Sequence, residues 1–489
     1  VNLLLLADMA AAARPDGTAV SAPDGTLTCG ELLAGAWGAS RLIGGATSVA
    51  YVGTNSCAVP LALFAAAASG VPFAPLNYRL GDEQLGQLLQ RLGDTLIVTD
   101  EERVADLAPR GVPVMPAREL IDAARTNPGD GEVPGESDHP AVLLFTSGTT
   151  AEPKAAILRH RHLSSYVIGT VEFGGAGEDE AALVSVPPYH VAGLANLLSN
   201  LYAGRRIVYL KQFDASDWVR TVREERVTNA MVVPTMLARI ADVLAHDPGL
   251  PTLARLSYGG SRTAPPVLRR VMELLPEVDL THAYGLTETS STLAVLGPED
   301  HRAAAAGDRV ALQRLSSVGK VLPTVEVEIR DGDEPVGPNV VGDIWVRGEQ
   351  VAGEYVGLED PRRDGWFPTR DRGFLDEDGY LFIEGRSDDT IIRGGENIAP
   401  AEIEDVLLDH PGIAECAVVG IPDEEWGQRI AAVVVPAPGA EVSADDVTTF
   451  ARARLRSSKA PEVVRIVDAL PYTETGKLLR REVLASLVS

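Results

Sequence analysis

The sequence predicts an α/β protein: a large N-terminal domain of doubly wound sheets with a small β-barrel-like part, followed by a smaller α+β domain. Three observations predict it. Up to about residue 310, short β-branched runs alternate with helical patterns, as parallel strands joined by crossover helices do. From there to residue 387 the segments VEVEIRDG, GDIWVRGE and GYLFIEGR are short, alternating and broken by Gly-rich turns, which reads as antiparallel sheet. From Asp388 onward, strand and helix patterns mix over about 100 residues, enough for a separate core.

Each element follows in order. The opening VNLLLLADMAAAARPDG reads as an amphipathic helix ending before Pro15. SVAYVG (48–53) is a strand, VPLALFAAAAS (59–69) a helix and TLIVT (95–99) a strand. After the polar loop NPGDGEVPGESDHP, AVLLF (141–145) is a buried strand, with a loop and then a helix from about Ala155 to Gly169. ALVSV (182–186), NAMVV (229–233), RLSY (255–258) and VDLTHA (278–283) repeat the strand pattern, each with a helix or loop behind it. In the C-terminal unit PAEIEDVLLDH (400–410) is a helix with Pro400 in its first turn. AECAVVGI and RIAAVVVPA are strands, and SADDVTTFARARL is a helix capped by Ser443.

Composition narrows the function. The 489 residues carry 43 Lys and Arg against 69 Asp and Glu, a net charge of −26. Such a chain repels nucleic-acid backbones and anionic membranes. An anionic ligand must therefore be met by a few local cations and backbone N–H groups. Cys29, Cys57 and Cys416 are too few and too scattered for a disulfide framework or a zinc site, which points to a reducing compartment. The apolar start has no basic leader and is interrupted by Asp8, so it reads as neither signal peptide nor membrane span. A cytoplasmic enzyme is the expectation.

Polar, Gly-rich clusters fall just behind the strands: TSGTT after 145, PPYH after 186, GGS after 258 and YGLTE after 283. Ligand crevices of open parallel sheets lie at the carboxyl ends of strands, so one composite site is expected there. Thr146-Ser147-Gly148-Thr149-Thr150 offers small residues and hydroxyls to an anion, and Lys154 adds a charge. Pro153 before the lysine excludes the P-loop pattern. Tyr284-Gly285-Leu-Thr287-Glu288 supplies an aromatic face, a hydroxyl and a carboxylate suited to Mg²⁺. His190 follows a strand and can face the pocket. Asp371 in WFPTRDRG and Arg386 in EGRSDD suit ribose hydroxyls and phosphate, and Lys477 stands in a Gly-containing loop.

Together, TSGTTAEPK, YGLTE, GWFPTRD, GRSDDTIIRGGENI and PYTETGK resemble, in order and spacing, the motifs of the adenylate-forming superfamily: acyl-CoA synthetases, nonribosomal adenylation domains and luciferases. The resemblance covers essentially the whole chain. It implies that a carboxylate attacks the α-phosphate of ATP, giving acyl-adenylate and pyrophosphate, before a thiol displaces AMP. It implies that Thr146–Thr150 and Lys154 form the phosphate loop, that Gly260, Ser261, Ala283, Tyr284 and Gly285 belong to the ATP/AMP site, and that Tyr284 stacks on adenine. Thr287 would contact phosphate, Glu288 would bind Mg²⁺, Asp371 and Arg386 would hold ribose, and Lys477 would bridge carboxylate and α-phosphate. His190, Val191, Ala192, Gly193, Asn196 and the Gly259–Arg262 turn would shape the acyl pocket. Arg393, Gly394, Gly395, Trp426 and Arg429 would meet CoA. A mobile C-terminal domain, 388–489, would turn on the 1–387 domain about Asp388.

The chain departs from the family pattern at Ala151, Ala155 and Arg370, where glycine is usual, and at Ser458, where an aromatic often stands. The segment PPYHVAGLANLL carries no acid for an α-amine, and Asp214 follows a later strand, so a non-amino carboxylic acid is the expected substrate. The expected partners are that acid and CoA. Two alternatives remain: an adenylating enzyme that serves a carrier protein, and a non-catalytic nucleotide-binding relative.

Overall fold

A computed structural model of the chain describes residues 1–135, 138–146, 153–394, 396–423, 426–473 and 477–488, the side chains of residues 397, 457 and 488 excepted. Among the described residues two large mixed sheets dominate. One orders Glu354–Tyr355, Lys154–Arg159, Pro140–Thr146, Phe73–Leu76, Ser48–Val52, Thr95–Thr99 and Val114–Pro116, parallel from Pro140–Thr146 onward. The other runs Lys320–Val321, Ser291–Leu296, Asp279–Leu286, Arg255–Gly259, Asn229–Val232, Ala181–Val184, Arg206–Tyr209, Thr18–Ala22 and Gly25–Thr28. Its strands from Asp279–Leu286 to Thr18–Ala22 are parallel, as the alternating pattern predicts.

Helices cover the sheets for the usual reason: strands buried on both faces, such as Ser48–Val52, need apolar cover on each side. Helix Ala58–Ser69 is buried around nearly its whole circumference, because it lies within the main core. A five-stranded antiparallel sheet built from Glu326–Asp331, Gly342–Arg347, Phe367–Leu375, Leu381–Arg386 and the short Glu334–Pro335 follows. The one-turn helix Ser387–Asp389 then leads to the smaller C-terminal unit. There Ile413–Asp423, Gly427–Pro436 and Val463–Ile466 form a sheet against helices Pro400–Leu408 and Ala444–Arg452, around a core of its own. Ser443 caps the second helix by accepting from the Asp446 N–H, the cap expected from the sequence.

Two expected elements differ. Lys154–Arg159 is a strand, not the start of a helix; it returns antiparallel along Pro140–Thr146, and the helix begins only at His160. Pairing with Pro140–Thr146 on one side and Glu354–Tyr355 on the other satisfies its backbone groups and buries Ala156 and Leu158, which local helix propensity cannot match. The first helix, Leu4–Ala13, ends before Pro15 as expected but is more evenly buried than an amphipathic helix. Leu3, Leu4, Leu6 and Ala7 are all buried, and only Ala12 and Ala13 in its last turn are exposed. Among the described residues no helix is long and apolar enough to cross a membrane.

Candidate active site

Strand Asp279–Leu286 runs past the sheet edge into the one-turn helix Thr287–Thr289 and doubles back as Ser291–Leu296. Gly285 makes this reversal possible, since a Cβ there would lie 1.7 Å from the Ser291 carbonyl oxygen. The fully buried Gln350 pins the turn from behind, donating to the carbonyls of Thr289 (3.0 Å) and Thr292 (2.7 Å). The turn therefore presents Tyr284 and Glu288 from a rigid edge. Gly259 packs beside it, with its missing Cβ only 2.0 Å from the Ala283 carbonyl, so the Gly259-Gly260-Ser261 turn lies flush against the segment that carries Tyr284.

Asp371 arrives from the antiparallel sheet. Trp345 pairs with Pro368 and Asp343 with Arg372, so the strand between bulges. Arg370 sits in the bulge with a φ of 63°, a left-handed conformation that glycine adopts without cost. The bulge turns Asp371 inward until it is only 5% exposed. There its carboxylate accepts from the Tyr284 hydroxyl at 2.5 Å and lies 3.4 Å from the Arg386 guanidinium. Burial raises the Asp371 pKa, while Arg386, Tyr284 and Lys477 oppose the rise. Tyr284 is pushed well above the ordinary tyrosine range by burial and by the Asp371 charge.

Lys477 comes from the far end of the chain, yet lies within electrostatic reach of Arg386, Glu288 and Asp371. Desolvation of its ammonium group lowers its pKa, Arg386 adds to the fall, and the two carboxylates resist it. Its charge also reaches His190, which caps no bond with its side chain at the start of helix Val191–Ala203. Burial and then Lys477 bring the His190 pKa down to about 3, so the ring is neutral at physiological pH. Its Nε2 is shielded and has no hydrogen-bond partner among the described residues. Val191, Gly193 and Asn196 follow on the same helix, Asn196 donating to the Ala192 carbonyl (2.9 Å) and to Met231 Sδ (2.9 Å).

Thr146 ends its strand opposite Lys154, while Ser147, Gly148, Thr149 and Thr150 lie outside the described residues, as do Ala151 and Gly395. Ala155 lies in extended strand, so a Cβ there costs no backbone strain. Tyr355 was not singled out by its sequence. It joins the site because its strand pairs with Ala156, and it donates to Glu288 Oε1 at 2.5 Å while Lys154 Nζ stands 5.9 Å from its ring centre. Only sheet pairing reveals it; GEYVGLED carries no local signal.

Arg393, Gly394, Trp426 and Arg429 form a different cluster. Arg393 pairs with Glu462 (2.7 Å), donates to the Ser458 carbonyl (2.7 Å) and stacks its guanidinium 5.6 Å from the Trp426 ring. Gly394 donates to the Trp426 carbonyl, and Arg429 lies 3.8 Å from Asp423. These partners all belong to the C-terminal unit. Arg262, expected in the acyl pocket, instead reaches the C-terminal unit, meeting the Ala401 carbonyl (3.0 Å) and the Asp405 carboxylate.

A buried carboxylate beside an arginine thus shares its surroundings with a lysine from a second unit and with the Glu288 carboxylate. The pattern of AMP-binding enzymes matches residues 7–356, and that of the AMP-binding enzyme C-terminal domain matches 402–477. The chain belongs to the AMP-binding enzyme family. It is 36% identical over 451 residues to a feruloyl-CoA synthase of an Amycolatopsis species, covering 89% of this chain and 88% of that protein. It is 35% identical over 457 residues to a fatty acid–[acyl-carrier-protein] ligase of Streptomyces coeruleorubidus, covering 89% and 85%. The o-succinylbenzoate CoA synthetase of Bacillus subtilis, solved with its acyl-adenylate intermediate, superposes with a TM-score of 0.85 at 28% identity, covering 99% of this chain and 97% of that one. This family member is an AMP-forming, adenylate-forming ligase with a large N-terminal α/β domain and a smaller C-terminal domain.

Proposed function

We propose that the protein activates a non-amino carboxylic acid with ATP, forming acyl-AMP and pyrophosphate, and then transfers the acyl group to CoA. The convergence of Lys477 with Asp371, Arg386 and Glu288 carries this reading, because it sets one cation from the C-terminal unit beside a ribose-type carboxylate and a metal-type carboxylate. Asp371 keeps lone pairs beyond those engaged by Tyr284 and Arg386, and these accept ribose hydroxyls. Lys477 neutralises charge where the acid oxygen approaches the α-phosphate, a step that otherwise sets anion against anion. Lys154 and the Thr146–Thr150 loop hold the outer phosphates.

Glu288 fits Mg²⁺: a hard carboxylate oxygen, oriented by Tyr355, beside a site for polyphosphate, which supplies the remaining oxygens. Bound there, the ion would neutralise phosphate charge. His190, neutral and shielded at the start of the helix bearing Val191, Gly193 and Asn196, orients the acid rather than carrying charge. Residues 1–387 and 388–489 act as separate domains, and rotation about Asp388 exchanges Lys477 for Arg393, Gly394 and Gly395 at the site. The protein works in the cytoplasm.

A carrier protein is the second reading of the acceptor, favoured by the carrier-protein ligase of S. coeruleorubidus and by the half-exposed Trp426. The test is mass spectrometry of products from a carboxylic-acid panel with ATP and Mg²⁺, with and without CoA. Acyl-CoA formed only with CoA is the expected result. Acyl-adenylate that CoA fails to consume would transfer the reading to the carrier protein.

A further inference from the structure

We infer that Arg262 is a positioning residue for adenylation: it docks helix Pro400–Leu408 through Asp405 and so holds Lys477 at the nucleotide site. This inference rests on the proposed role of Lys477 and on rotation of the C-terminal unit.

The chain of contacts is continuous. Arg262 follows the Gly259–Ser261 turn, whose backbone packs against Ala283 beside Tyr284. Its guanidinium crosses to the C-terminal unit, where it bonds the Ala401 carbonyl (3.0 Å) and the Asp405 carboxylate. Arg269, on helix Pro265–Leu274, makes a looser second pair with Asp409 at 3.7 Å. Next to Asp405 stands the buried Glu404, which takes a two-pronged bond from Arg480 at 2.6 and 2.9 Å and accepts from the Val418 N–H at 2.8 Å. Arg480 also lies 3.5 Å from Asp389 in the one-turn helix between the units. Three residues before Arg480 is Lys477. A displacement of helix Pro400–Leu408 is thus transmitted to the loop that carries Lys477 by charge-assisted bonds, not by a flexible tether.

The pair is asymmetric in a way that favours this orientation. Asp405 Oδ1 is shielded and has no hydrogen-bond partner among the described residues, and its neighbours Glu404 and Asp409 are acidic. Burial pushes its carboxyl above the usual range, and Arg262 is the group that opposes this. With the units docked, Arg262 meets a carboxylate whose Oδ1 is shielded although both side chains stay partly exposed; once the helix turns away, both charges are fully solvated and the pair disappears. Arg262 therefore weights the equilibrium toward the orientation that adenylates, and contributes nothing to the one that forms thioester.

The experiment measures ATP–pyrophosphate exchange, and separately thioester formation from supplied acyl-adenylate, in Arg262→Ala, Arg262→Asp, Asp405→Arg and the charge exchange Arg262→Asp/Asp405→Arg. Arg262→Ala is expected to lower the exchange kcat by about tenfold, with KM for the acid within about twofold and thioester formation undiminished. The charge exchange should recover more exchange than the two single changes predict together. A rise in acid KM with kcat unchanged would make Arg262 an ordinary pocket residue and overturn the inference. So would equal loss in both half-reactions, or a charge exchange no better than additive. A parent enzyme without exchange on any acid would overturn the proposed function as well, whereas full exchange in Arg262→Ala would overturn this inference alone.

Discussion

Tyr355 donates its hydroxyl to Glu288 Oε1 at 2.5 Å, joining the edge strand Glu354–Tyr355 to the turn that follows YGLTE. Burial and the Glu288 charge push the Tyr355 pKa far up, so the phenol stays a donor at any working pH. Removing that donor frees Glu288 to rotate. Tyr355→Phe is expected to raise the Mg²⁺ concentration needed for half-maximal exchange by about three- to tenfold, with little change in melting temperature, in line with loss of one hydrogen bond to a charged group. Titrating Mg²⁺ at fixed ATP checks it, and an unchanged midpoint would detach Glu288 from the metal.

Arg370 occupies a left-handed position, φ 63°, where the family pattern has glycine. An L side chain there stores about 1 kcal/mol of backbone strain. Arg370→Gly relieves it, against the added backbone freedom of glycine in the unfolded chain. We expect stability within about 1 kcal/mol of the parent, without loss of Asp371 geometry. Arg370→Ala, which keeps the strain, should be the less stable of the two. Chemical denaturation of the three proteins decides it.

Lys477→Ala is expected to lower ATP–pyrophosphate exchange by about 100-fold or more, the scale of removing a preorganised charge from a transition state. Thioester formation from supplied acyl-adenylate should survive. Asp388→Pro should show the complementary pattern, impairing thioester formation more than adenylation. Quenched-flow assays of the two half-reactions separate the cases; parallel losses in both variants would refute a division of labour.

His160 and His162 are almost wholly buried, and each accepts a backbone N–H on Nδ1, from Leu3 (3.1 Å) and Arg159 (3.2 Å). An accepting nitrogen cannot be protonated. Burial brings their pKa values down to about 4 and about 3. A histidine that resists protonation when folded makes the unfolded state bind more protons as pH falls below about 6.5, so stability drops through that window. Each should cost about 2 kcal/mol at pH 5 relative to pH 7.5. His162→Asn keeps an acceptor oxygen without a titrating ring, and should flatten the pH dependence of the denaturation midpoint. A slope equal to the parent's would show that His162 does not titrate in this range.

Much of the site was legible because its motifs are local. Thr146, Tyr284 and Glu288 stand at a strand end or turn whose small and polar residues announce a ligand edge, Asp371 sits mid-strand beside a bulge, and the structure brings the last three together. The strand Lys154–Arg159 was not legible, since KAAILR suits a helix as well as a strand and only its partner Pro140–Thr146 decides between them. Tyr355 was missed for the same reason: its role depends on which strand it pairs with, 199 positions away in sequence from Ala156. Arg262 looked like part of a pocket turn, but its long side chain reaches the other unit.

By itself the sequence determined the family, the adenylating chemistry and the alternation of strand and helix, because ordered motifs and residue periodicity are written within short stretches of chain. The tertiary structure alone decided which groups share an environment: Tyr355 with Glu288, Lys477 with Asp371, Arg262 with Asp405. Hydrogen bonds and charge pairs act over a few ångströms, and only the folded chain brings residues distant in sequence within that range.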